Sequence, residues 1–86
     1  MQLLTHIIFV LNLLKTLMLM NFNGEELVLM MLYNPGTRLG LMQELRLMQC
    51  YLLPDETALR ELSEGVIQKL KLMTDAEFSE IEFPLD

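Results

Sequence analysis

His6, Cys50, Ser63, Ser79 and the carboxylate pairs Glu61/Glu64 and Glu77/Glu80 are the side chains in this 86-residue sequence whose types catalysis or metal binding recruits. His6 is the sole histidine, so a multi-histidine metal site or a Ser–His–Asp triad would need residues the sequence lacks. On a helix it reads as a surface or rim residue. Neither serine stands in a G-x-S-x-G turn, and no Glu-x-x-His pair offers the ligands that helical bundles use for metals. The carboxylate pairs read as solvated helix faces, because an acid–base pair needs a cleft that raises one of its pKa values. Cys50 stands alone, excludes an internal disulfide, and reads as a small apolar residue at the edge of the core. Asn34-Pro35-Gly36 lacks the glycine–lysine pattern of a phosphate loop and reads as a helix–helix corner. The sequence therefore predicts no catalytic residue, no metal ligand and no cofactor. The chain is not expected to be an enzyme.

The elements around these residues are helical. Residues 37–53 lie between two proline breaks, and Leu41, Leu45, Met48 and Leu52 step by four, three and four positions. That is an apolar stripe at helical spacing, with Gln43, Glu44, Arg46 and Gln49 mostly on the other side. Before it, Asn23 with Glu26 reads as a capping box that opens a helix running to Tyr33, with Leu27, Met30 and Met31 inward. Asn34 is expected to cap the central helix with Pro35 at its first position, and Gly40 suggests a close helix approach. Pro54, Asp55 and Glu56 read as the first turn of the next helix, whose buried stripe is Leu59, Leu62, Val66, Leu70 and Met73. Arg60 and Glu64 can pair on its outer face. Thr74 with Glu77 forms a second capping box, and Met73 with Phe78 a hydrophobic staple around it. A short last helix then ends near Ile81 to Phe83, and the acidic tail folds back over the core. No run alternates long enough for a sheet.

Residues 1–20 are dense in apolar side chains, yet Gln2, Thr5, Asn12 and Thr16 gather on one side of a helical wheel. Leu3, Ile7, Val10, Leu14 and Leu17 repeat four-three-four-three opposite them, which reads as a bundle or oligomer helix and makes these five the expected interface. A membrane anchor is the alternative. It is disfavoured because polar residues interrupt the apolar span and no basic residue precedes it. Residues 1–19 hold no acid and differ in character from the rest, so they also read as an extension of a compact unit over residues 20–86.

Composition sets the remaining bounds. Hydrophobic residues make up 52%, including eight methionines, in a chain short enough for a single domain with a thin core. Such a domain either packs very efficiently as a monomer or leaves apolar surface for a protein partner or a second copy, and the second is the expectation here. The net charge of −6 disfavours nucleic acid, whose affinity comes largely from phosphate neutralisation, and also disfavours anionic membranes. The lone cysteine makes the cytoplasm the default compartment.

The segments EELVLMMLYNPGTR, LLPDETALRELSEGVIQKL and MTDAEFSEIEF resemble small acidic helical proteins carried on transposons and conjugative elements of Gram-positive anaerobes. The likeness covers roughly residues 20–83. It implies a mobile-element setting and carries no site residues with it. The expectation is an all-α bundle of four to five helices, with completion by dimerisation left open. The expected function is that of a small accessory protein binding protein, or itself, through Leu- and Met-rich helical faces.

Overall fold

The computed structural model describes residues 22–83. Among them lie four α-helices and no strand: α1 Gly24–Tyr33, α2 Arg38–Cys50, α3 Thr57–Leu72 and α4 Asp75–Ser79. The three longer helices each pack on the other two. The all-α expectation holds for these residues. The interface helix expected over residues 1–20, with Leu3, Ile7, Val10, Leu14 and Leu17, lies outside them, as does His6.

The core is what the helical stripes dictate. Met30, Leu41, Leu45, Val66, Ile67 and Leu70 are fully buried, and Phe22, Leu29, Met73 and Phe78 close it. Met48, Leu59 and Leu62 pack partly against it, whereas Leu52, the last residue of the central stripe, lies past the end of α2, half-buried and outside the core cluster. On α1, Leu29 joins Met30 inside, while Leu27 and Met31 are half-buried; a ten-residue helix wedged between two others turns a narrower face inward than its composition suggests.

Both expected capping boxes are present. The Glu26 N–H donates to Asn23 Oδ1 at 2.9 Å and the Asn23 N–H to Glu26 Oε1 at 2.9 Å. The Glu77 N–H donates to Thr74 Oγ1 at 3.1 Å and the Thr74 N–H to Glu77 Oε1 at 2.8 Å. Met73 and Phe78 are buried on either side of the second box, as a staple requires. The last helix stops at Ser79 rather than near residue 81, and Ile81 and Phe83 fold back against the core.

Two helix starts differ from expectation. Asn34 does not cap α2. Its Oδ1 accepts from the Gly36 N–H at 2.9 Å, a local turn that leaves Pro35 outside the helix, and Thr37 takes the cap by accepting from the Gly40 N–H at 3.1 Å. Gly36 has φ of +114°, a conformation that favours glycine. The close approach at Gly40 comes from this corner and not from a neighbouring helix: a Cβ there would lie 2.6 Å from Thr37 Oγ1 and 2.8 Å from Pro35 Cγ. Likewise Pro54 and Asp55 lie in a turn, and α3 starts at Thr57 behind Glu56. The Glu56 carboxylate accepts from the Leu53 N–H at 3.0 Å, holding that turn closed before the helix begins.

Candidate functional site

Among the described residues, Ser63, Ser79, Glu64 and Glu77 are all occupied in structure. Ser63 is buried; its hydroxyl donates to the Arg60 carbonyl at 3.0 Å and accepts from Gln49 Nε2 at 2.9 Å. Ser79 donates back to the Ala76 carbonyl at 2.6 Å. Both hydroxyls thus return to their own helix, and no histidine stands beside either among the described residues. The carboxylates expected as solvated pairs separate. Glu64 faces α2, whereas Glu61 is exposed, and Glu77 is held in its capping box while Glu80 ends α4.

Glu64 is the hub of a polar seam between α2 and α3. Its Oε2 accepts from Arg46 Nη1 at 2.7 Å and from Gln49 Nε2 at 3.2 Å, and its Oε1 from Gln68 Nε2 at 3.0 Å. The Gln68 and Gln49 amides, with the Arg46 guanidinium, hold its carboxyl below the usual glutamate value against a smaller opposing effect of desolvation. The partner of Glu64 is therefore Arg46 on the facing helix, not Arg60 on its own. A facing helix brings a guanidinium into bonding geometry without bending either backbone. A third tie is Arg38, whose Nε donates to Asp75 Oδ1 at 2.9 Å and whose Nη1 donates to the Leu70 carbonyl at 3.0 Å. It joins the start of α2 to the end of α3 and the start of α4. Among the described residues no group of three or more His, Cys, Asp or Glu could hold a metal ion.

Cys50 is exposed, not at the core edge; its Sγ lies 3.4 Å from the Arg46 carbonyl. It belongs instead to an apolar outer face of α2 that the inward stripe concealed. Leu39 is 57% exposed, Leu47 53% and Tyr51 79%, at spacings of eight and four that keep them on one side of the helix. Leu53, in the turn that follows, is exposed as well. Two depressions adjoin along it and share Leu47. One, of about 390 Å³, is lined by Tyr33, Glu44, Met48, Tyr51, Glu56 and Leu59 among others. The other, of about 470 Å³, is lined by Leu39, Met42, Gln43, Arg46 and Cys50 besides Leu47. The signal was present in the sequence, since Leu39 and Leu47 fit no position of the Leu41 stripe. Val28 and Leu32, one turn apart on α1, are exposed as well.

A family model described as "Putative transposon-transfer assisting protein" matches residues 22–84. The chain belongs to that family. No curated protein and no solved structure matches it. Membership in a transposon-transfer assisting family agrees with the mobile-element setting implied by the resemblance, and with an accessory role. Among the described residues no helix is long and apolar enough to cross a membrane. The anchor alternative concerned residues 1–20, which lie outside them.

Proposed function

We propose that this family member is a non-enzymatic accessory protein of mobile-element transfer that works by docking protein on its Leu- and Met-rich helical faces. The observation that carries the reading is the outer face of α2. There Leu39, Leu47 and Tyr51 stand more than half exposed. Apolar side chains left in water along one face mark a contact surface, and methionines beside them adapt to a partner's shape. The reading includes self-association through Leu3, Ile7, Val10, Leu14 and Leu17, supported by their helical spacing. It also takes residues 1–19 as an extension of the compact unit, supported by their lack of acids. Action in the cytoplasm of a Gram-positive anaerobe is part of the same proposal.

The test is the transfer frequency of the element in cells carrying Leu39→Glu or Leu47→Glu. Both side chains are exposed, so the fold survives and a drop of about tenfold reports lost docking. Transfer at the unsubstituted frequency overturns the reading. For self-association, light scattering of the full chain at several concentrations is expected to show a mass above one copy that Leu14→Glu reduces. A strict monomer at every concentration overturns that part.

A further inference from the structure

The two depressions that share Leu47 differ from a general sticky patch in their charge. Glu44 and Glu56 line the first, and among the described residues no lysine or arginine lines it. Arg46 lines the second, but its guanidinium is 2.7 Å from Glu64, so its charge is matched from within the fold. The rest of its lining is apolar or aromatic: Leu47, Met48, Leu52, Leu59, Tyr33 and Tyr51. Tyrosine faces attract ammonium and guanidinium groups as well as aliphatic carbon. From Leu39 to Tyr51 the surface runs along helical backbone for about 18 Å, the length of three turns of a helix laid against it.

We infer that this groove takes a basic amphipathic helical segment of a partner protein, its apolar stripe on Leu39, Leu47 and Tyr51 and its lysines or arginines on Glu44 and Glu56. The inference rests on the docking reading above and names the partner's chemistry. A second copy of this chain is the poorer occupant. Residues 22–83 hold 11 Asp and Glu against five Lys and Arg, and two such grooves face to face would set Glu44 and Glu56 against like charges. A cationic helix places opposite charge at the same rim and an apolar stripe against the apolar lining, the helix-in-groove mode of recognition.

The probe is a fluorescein-labelled 14-residue peptide with leucines at helical spacing and lysines elsewhere, titrated with the full chain and followed by anisotropy. A matched peptide with glutamates in place of the lysines is the control. The lysine peptide is expected to bind, the glutamate peptide not, and the affinity to fall as salt rises. Leu47→Lys is expected to weaken binding by about tenfold or more, and Glu44→Gln with Glu56→Gln together by about fivefold at low salt. Glu56→Gln keeps an oxygen for the Leu53 N–H, so the turn stays closed. Leu72→Lys, exposed but outside the groove, is expected to leave binding unchanged, and amide shifts on titration to gather at Glu44, Leu47 and Tyr51. Equal binding of both peptides, or binding indifferent to Leu47→Lys, overturns the assignment. So does displacement of the peptide by millimolar tetramethylammonium, which would make this a small-cation site. A flat titration with both peptides removes the basic partner but leaves the docking reading intact if Leu47→Glu still lowers transfer. Undiminished transfer removes the docking reading itself.

Discussion

Lys69 places its ammonium 2.7 Å from Oε1 and 3.0 Å from Oε2 of Glu26, a residue 43 positions earlier in the chain. The same Oε1 accepts the Asn23 N–H that closes the first capping box. The Glu26 side chain is only 5% exposed, and Lys69 lies 5.4 Å above the centre of the Phe22 ring. One carboxylate therefore both begins α1 and fastens it to the last turns of α3.

Its two halves are unequal. Lys69→Met strands a buried carboxylate with only backbone N–H support, and is expected to cost about 2 kcal/mol. Glu26→Gln keeps an oxygen for Asn23, and Lys69, about a third exposed, can turn to water, so the cost is expected near 1 kcal/mol. Urea unfolding of both variants measures the difference. Equal costs, or a larger one for Glu26→Gln, would show that the ion pair contributes little beyond the cap.

Gly40→Ala runs against the usual helix rule. Alanine in place of glycine favours a helix by about 1 kcal/mol. Here the added methyl would meet Thr37 Oγ1 and Pro35 Cγ inside contact distance and displace the cap of α2, which is itself worth about 1 kcal/mol. With Pro35 also forced to shift, the melting temperature is expected to fall. A rise on thermal denaturation would mean the corner yields freely.

Glu64 supplies a pH signature. Its folded-state pKa is lowered by Gln68, Gln49 and Arg46, so the unfolded chain takes up this proton first as the medium is acidified. Its contribution is complete above the ordinary glutamate value, about 4.3, and is lost as pH falls through that range and on through the lower folded value. Glu64→Gln is therefore expected to be slightly less stable than the parent at neutral pH, with the gap narrowing in acid, below the ordinary glutamate value. Chemical denaturation at neutral and at acid pH checks this; a gap of constant size would assign the stabilisation to packing.

Thr74→Ala removes the acceptor of the Glu77 N–H at the start of a five-residue helix. The expected cost is about 1 kcal/mol. Hydrogen exchange is the sharper readout, with amides of residues 76–78 expected to exchange faster while those of α2 keep their protection. Unchanged exchange at 76–78 would show that burial of Phe78 alone holds the corner.

The parts of this fold that could be read from sequence are those fixed within one turn of helix. The Asn23/Glu26 and Thr74/Glu77 boxes, the Met73/Phe78 staple, and the stripes through Leu41 and through Val66 obey spacings of three, four and five, which the chain itself displays. What escaped depends on neighbours distant in sequence or on competition between local options. Arg46 rather than Arg60 reaches Glu64 because α2 lies alongside α3. Asn34 could cap a helix or fold onto Gly36, and Pro35 with a left-handed Gly36 decides for the second. Of the candidate site, the apolar excess was legible, but its concentration on the outside of α2 was not, because Leu39 and Leu47 look like core residues until the inward side is filled by Leu41 and Leu45.

Apart from Arg38, which reaches Asp75 and the Leu70 carbonyl, the corner from Asn34 to Gly40 sets its turn through contacts within itself. Asn34 binds Gly36, Thr37 binds Gly40, and Gly40 is small because Pro35 and Thr37 crowd it. Seven residues that settle their own geometry form a portable joint. Grafted between two helices of an unrelated designed bundle, the segment NPGTRLG is expected to impose the same exit direction on the second helix, a spare part for protein engineering taken from a mobile-element protein.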